Sequence, residues 1–203
     1  MFTLSSLIGL FAGVLTFFAY VPYFFSMLKG KTKPHRVTWW ILVFVGLMLA
    51  GGYYSLGARN SIWVPIGYIL GPLLIALFSF RFGEGGWSAF DRLCVEGVLI
   101  AAFFWWLFDA TFIALIINLV MDWIGLMPTV LKSYHRPHTE DRLSWVCWFS
   151  GSFFNLFAVG HWTLELSFYP VYMVLGNGVI TALVCWPGRH RASLERHLTS
   201  KIS

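Results

Sequence analysis

Asp122 stands inside an apolar run, between Val120-Met121 and Trp123-Ile124. An ionisable side chain at the centre of a membrane helix costs roughly 2.5–3.5 kcal/mol on insertion scales, so such a residue marks a candidate site by default. Asn118, Asp122, Gly125 and Thr129 follow the spacing i, i+4, i+7, i+11 and form one stripe on one helix face. Low dielectric penalises the charged form of a carboxyl group, which makes Asp122 the candidate proton-sensitive residue. Asn177 and Thr181 lie one turn apart beside Gly176 and Gly178, and Ser152 and Asn155 lie in the preceding apolar run. In the first run the repeat equivalent of Asp122 is Thr16, followed on that helix by Tyr20 and Tyr23. An amide both donates and accepts hydrogen bonds, which suits a hydroxylated or zwitterionic solute. The candidate substrate-binding set is therefore Tyr20, Asn118, Asp122, Asn155, Asn177 and Thr181. The competing role for each is an interhelical hydrogen bond, with small residues allowing close packing.

Other chemistry is poorly served. There is no G-x-S-x-G, P-loop or H-E-x-x-H pattern. His135, His138, Glu140 and Asp141 are close in sequence, but Pro137 separates the two histidines in an expected loop, so a hydrated loop rather than a metal site is expected. Cys94, Cys147 and Cys185 are scattered and odd in number, which implies neither a disulfide framework nor a zinc site. An intramembrane enzyme needs a cluster of catalytic groups at one depth, and Asp122 is nearly alone. Neither enzymatic activity nor a cofactor is expected.

The elements that position these residues follow from composition. The 203-residue chain is 58% hydrophobic and only 11% charged, against about 25% charged in soluble domains. Its net charge of +5 comes from short basic clusters between apolar runs, the pattern of membrane-protein loops, not of a nucleic-acid surface. Runs at 5–28, 37–57, 61–80, 93–108, 110–131, 144–163 and 165–186 each approach the length of a membrane helix. The first has no basic n-region or small-residue cleavage site and reads as a retained helix. Seven spans place Lys29, Lys31, Lys33, Arg36, Arg81, Arg92, Lys132, Arg136, Arg142 and the tail cations on one side, and only Arg59 on the other. The positive-inside rule then puts the N-terminus outside and the C-terminus in the cytoplasm. Trp39, Trp40, Tyr53, Trp63, Trp145 and Trp162 near the run ends suit interfacial belts. Compactness and short loops favour a bacterial inner membrane.

The chain also repeats itself. Tyr20 to Trp39 aligns without a gap on Leu126 to Trp145: Pro22 falls on Pro128, Arg36 on Arg142, Thr38 on Ser144 and Trp39 on Trp145. Further along, Pro65, Leu70 and Gly71 match Pro170, Leu175 and Gly176 with a one-residue change of offset. The expected architecture is all-α: two parallel three-helix bundles joined by a linker helix. Its segments are a first repeat at 1–80, a linker at 81–109, a second repeat at 110–186 and a cytoplasmic tail at 187–203. Pro22 and Pro128 each remove a backbone donor and strain the preceding turn; their matched positions make them paired hinge candidates. Pro65 and Pro170 invite the same reading.

A Pro late in the first and fifth helices, then a basic loop and a hydroxyl–Trp start to the next helix, resembles the PQ-loop superfamily, which includes the SWEET sugar transporters and the cystinosin-like exporters. The family's Gln after Pro is Tyr23 in one copy and Thr129 in the other. Of the Asn pair often found in the third helices of SWEET repeats only Asn177 is present, opposite Pro72. The resemblance implies a transport fold and leaves the substrate open among sugars, amino acids and vitamins. It implies alternating access around a site between repeats. It also makes Asp122 similar to the proton-coupling carboxylate of the cystinosin-like branch, so that transport is passive or proton-coupled. A receptor or chaperone that binds a ligand without moving it, as the KDEL receptor branch does, is the alternative. The expected partners are a small solute, protons and the lipid bilayer, with no nucleic acid; an oligomer is compatible with this plan.

Overall fold

The computed structural model describes residues 4–55, 63–107, 111–158 and 164–186. Among them the chain is all-α, with no β-strand. The helices are α1 (Leu4–Phe18), α2 (Tyr20–Leu28), α3 (Arg36–Ser55), α4 (Trp63–Phe82), α5 (Ala89–Leu107), α6 (Thr111–His135), α7 (Arg142–Ala158) and α8 (Leu164–Cys185), with a 3-10 turn at Pro137–Thr139. Each expected apolar run contains a helix, but several ends move, and each shift has a local cause.

The first run is broken at Ala19. Pro22 cannot donate to the carbonyl four residues back, and its ring crowds that carbonyl; the residue four back is Phe18, where α1 stops. Ala19 still donates to Leu15 O and Tyr23 to Ala19 O, so the break is a single turn. α2 ends at Leu28, and Gly30, just past the cap residue Lys29, has a φ of 69°, the left-handed geometry in which glycine closes a helix. α5 begins at Ala89, four residues before its expected start. Ser88 and Asp91 form a reciprocal cap: Ser88 N and Oγ both donate to Asp91 Oδ2, while Asp91 N donates to Ser88 Oγ. Asp141 caps α7 in a similar way, accepting from Ser144 N and Oγ at 2.8 and 2.7 Å.

Two compact units emerge. One comprises Met1–Lys33 and Val130–Ser203, the other Pro34–Thr129. The changeovers fall at 33/34 and 129/130, so the units are a different partition from the segments expected at 1–80 and 110–186. The first unit holds α1, α2, α7 and α8. The second unit holds α3, α4, α5 and most of α6. α6 passes through a changeover at residue 129, immediately after Pro128.

In the first unit α1 lies along α7, which lies against α8. Gly151 makes the α1–α7 approach possible: a Cβ there would strike Thr16 Oγ1 and come within 3.0 Å of Ala12 O. In the second unit α3 packs on α4 and α5. Gly125 of α6 lies against Ile41 of α3, where a Cβ would collide with the isoleucine side chain. Val37, Ile41 and Val45 of α3, Cys94, Val98 and Ala101 of α5, and Met121 of α6 form one apolar core. Arg36 closes the end of α4 by donating to the carbonyls of Ser79, Phe80, Gly83 and Gly85. Those are the carbonyls that a helix C-terminus and the loop after it leave without partners.

Trp39 and Trp145 face the protein interior. Each is 4% exposed, as buried as its preceding hydroxyl residue, Thr38 or Ser144. They follow the inward face of α3 and α7, and it is Trp40 that lies outward. Arg59, Trp162 and the tail from residue 187 lie outside the described residues, as do the side chains of Tyr53 and Trp63.

Candidate functional site

Two polar groupings contain the sequence-derived candidates, one in each unit.

In the first unit the grouping is built on α7 and read by α2 and α8. Asn177 Nδ2 donates to Ser152 Oγ at 2.8 Å, and Ser152 Oγ donates to Trp148 O at 2.8 Å. The proton accounting is consistent: the serine's one proton goes to its own helix and its oxygen accepts from the amide. Thr181 Oγ1 donates to Trp145 O at 2.9 Å, so its hydroxyl proton is committed to joining α8 to α7. Trp148 gathers the aromatic rings. Tyr20 and Trp145 meet it edge-on at 5.2 and 4.9 Å, a geometry that aromatic quadrupoles favour, and Tyr23 meets it at a tilt at 5.5 Å. Tyr20, Asn177 and Thr181 thus join one continuous network. Asn155 does not; it is half-buried on α7 and makes none of these contacts.

At the loop end of this unit lies a charge cluster that composition alone did not suggest. Lys132 and Glu140 form an ion pair with side chains 2% and 0% exposed. Lys132 Nζ also donates to Lys33 O, and Trp145 Nε1 donates to Glu140 Oε2 at 2.8 Å. Lys33 N donates to Thr139 O at 2.8 Å, tying the chain after α2 to the loop between α6 and α7. The expectation of a hydrated loop is corrected here: Pro137, Thr139 and Glu140 are buried, while His135 and Arg136 stay exposed. The sequence signal was the register itself, since Trp145 is five residues from Glu140 and aligns with the equally buried Trp39.

In the second unit the stripe on α6 is buried along its length: Asn118, Asp122, Gly125 and Thr129 all face inward. Thr129 Oγ1 donates to Thr38 Oγ1 of α3 at 2.9 Å. Two and three turns back along α6, Asp122 and Asn118 are 8% and 7% exposed, and Asn118 Oδ1 has no hydrogen-bond partner. A buried acceptor without a donor costs about 1–3 kcal/mol, so the amide is held at a price that packing alone does not explain. On the loop side, His35 Nε2 lies 3.5 Å from Asp91 Oδ1, a contact that adds charge to the cap of α5 when the imidazole is protonated.

The hinge candidates differ in setting. Pro22 sits just past the one-residue break at Ala19, whose backbone stays in the α-helical region, whereas α6 continues through Pro128 from Thr111 to His135. Pro65 lies in the first turn of α4, where proline is tolerated without strain, and Pro170 is inside α8.

No protein-family model, no curated protein and no solved structure matches the chain. The residues themselves must carry the functional reading.

Proposed function

We propose that the chain is an integral membrane carrier that moves a small polar solute by alternating access, with Asp122 coupling the movement to protons. The observation that carries this reading is the burial of Asn118 and Asp122 on a helix whose segment Ile116–His135 is long and apolar enough to cross a membrane. An intramembrane carboxylate turned to the protein interior is the usual mark of a substrate or proton path. The stretch Leu7–Leu28 meets the same length and hydropathy test, and Arg36–Met48, Ile69–Phe82 and Pro170–Cys185 are shorter apolar helices.

The helix exteriors support a lipid solvent. On α1, Leu7, Leu10, Phe11, Val14, Phe17 and Phe18 are all exposed, and α5 turns Leu99, Ile100, Phe103 and Trp106 outward. Contiguous apolar surface of this kind is an aggregation liability in water and a necessity in hydrocarbon. Among the described residues, Lys29, Lys31, Lys33 and Arg136 lie outside the helices and are exposed. In the proposed topology they face the cytoplasm, in a bacterial inner membrane with the N-terminus outside.

The matched features of the two copies support a PQ-loop-type plan of seven spans in parallel repeats. Pro22 and Pro128 fall at the same place in each copy, and both hydroxyl–Trp pairs are buried. The Tyr20–Trp148–Ser152–Asn177 network, within the first unit, is a separate candidate surface for solute. Its rings offer apolar faces and its amide offers hydrogen bonds, which suits a neutral or zwitterionic solute. The test is a thermal-shift screen of purified protein against sugars, amino acids and vitamins, because a ligand of the native state raises apparent stability by mass action. The stabilising solute is then offered to proteoliposomes. Saturable uptake supports the carrier; tight binding without uptake makes the protein a receptor.

A further inference from the structure

We propose that the basic loop end of the first unit is a docking surface for the headgroup of an anionic phospholipid. The inference rests on the membrane reading of the chain and not on transport.

The surface starts where α2 ends. Lys29, Lys31 and Lys33 are exposed, while Thr32 between the last two is buried. The backbone enforces this alternation. Gly30 N donates to Met27 O, and Lys31 N and Thr32 N both donate to Ser26 O. Ser26 Oγ and Thr32 Oγ1 share a hydrogen bond at 2.7 Å. Lys33 is held from both sides: its N donates to Thr139 O at 2.8 Å, and its carbonyl accepts from Lys132 Nζ. The same loop brings in Arg136, whose carbonyl accepts from Thr139 N and Oγ1 at 3.0 and 2.8 Å and whose side chain is exposed. The row of lysines is thus fixed to its own helix and to the loop between α6 and α7, with the ammonium groups left outside. A row fixed in advance loses less conformational entropy on binding than a flexible basic tail.

The acidic residues at this end are engaged elsewhere. Glu140 is buried against Lys132 and Trp145, and Asp141 accepts from Ser144 at the cap of α7. Among the described residues no ion pair involves Lys29, Lys31 or Lys33. The buried pair cancels its own charge, whereas the exposed cations keep theirs. Like charges held close together raise the local positive potential and favour an anionic partner.

The neighbouring apolar surface says which anion. Val21, Phe25 and Leu28 follow i, i+4, i+7 on α2 and are all exposed, so an apolar stripe runs directly into Lys29. Leu131 and Tyr134 are exposed on the last turns of α6, ahead of Arg136. A free phosphate ion would meet the cations and leave the stripe unused. A phospholipid uses both, with an acyl chain along the stripe and its phosphate at the lysines. Clustered basic residues just beyond a membrane helix are the side chains that anionic leaflets attract.

The experiment is thermal unfolding of the purified full chain in nanodiscs of phosphatidylcholine, in which phosphatidylglycerol with the same acyl chains replaces increasing fractions. The midpoint is expected to rise saturably, by a few degrees, and the rise is expected to shrink at high salt. Lys31→Gln with Lys33→Gln should remove most of it. Arg81→Gln with Arg92→Gln removes the same charge from exposed positions of the second unit and should leave it. Where the first double variant does not fold, Lys29→Gln with Lys31→Gln gives the same comparison. Equal midpoints in both lipids overturn the proposal, as does a rise lost equally in both kinds of variant, which reflects net charge alone. The same rise with inorganic phosphate in pure phosphatidylcholine overturns it in favour of a free anion, and a rise with polyglutamate alone overturns it in favour of an acidic protein. A chain that alkaline wash strips from liposomes fails the membrane reading and the proposal with it. A chain that stays embedded and ignores phosphatidylglycerol loses the lipid site alone.

Discussion

Lys132 and Glu140 form an ion pair from which solvent is almost wholly excluded, and Trp145 donates its indole N–H to the same carboxylate. Breaking one side of a buried pair leaves an uncompensated charge and costs about 3–5 kcal/mol, while replacing both partners by apolar groups is often neutral. Glu140→Ala is therefore expected to lower the melting temperature sharply. Adding Lys132→Met to that variant should restore a large part of the loss. Melting curves in detergent measure both, and a double variant no more stable than the single one would contradict the pair's burial.

The α1–α7 contact gives a second stability test. Gly151→Ala forces a methyl group onto Thr16 Oγ1 and toward Ala12 O. Overpacking of this kind costs about 1–3 kcal/mol. Thr16→Ala in the same chain should recover part of it, because the hydroxyl is one obstacle and the backbone carbonyl remains. A Gly151→Ala protein as stable as the native one would show that the helices do not approach this closely.

Much of the helical plan was legible in the sequence because each helix is an apolar run bounded by Gly, Pro or charge. The α6 stripe was legible because i, i+4, i+7 spacing follows from helix geometry alone. Three features were not. The start of α5 depends on a Ser88–Asp91 cap inside a segment that composition marks as a flexible Gly-rich linker. The Lys132–Glu140 pair sits at a helix end and in its loop, where charged residues ordinarily meet water. The Asn177–Ser152 and Thr181–Trp145 bonds depend on the register between α7 and α8, which no local pattern encodes. Trp39 and Trp145 were assigned to the membrane interface by their distance from the helix start, when the side of the helix they occupy is what buries them.

Topology follows from the basic residues. In a background where Cys94, Cys147 and Cys185 are replaced by Ala, a cysteine introduced by Lys31→Cys should react only with reagent on the cytoplasmic side. One introduced by Asn60→Cys should react only from outside. Lys31 is exposed and suits the purpose, whereas Ser133 is completely buried and does not. Labelling of both positions from one side would contradict a membrane crossing by the run at 37–57 that lies between them.

Pro22 and Pro128 are expected to govern exchange between states more than ligand affinity. Pro22→Ala restores the donor that Phe18 O lacks and should remove the one-residue break between α1 and α2. In both Pro22→Ala and Pro128→Ala, uptake should slow while the ligand-induced thermal shift is kept, because conformational steps limit turnover in such a cycle. Normal uptake in both variants would remove the hinge role.

The most direct test of a carrier coupled through Asp122 is the initial rate of uptake of the stabilising solute into proteoliposomes, with and without an imposed pH gradient. A proton removes the charge of the Asp122 carboxylate and with it the penalty for moving that face through a closed, low-dielectric state. The native protein is expected to take up solute faster with the gradient acidic on the outside. Asp122→Asn, permanently neutral, should lose that acceleration and keep counterflow exchange. Equal native rates with and without the gradient would contradict coupling through Asp122, and no uptake under either condition would contradict transport itself.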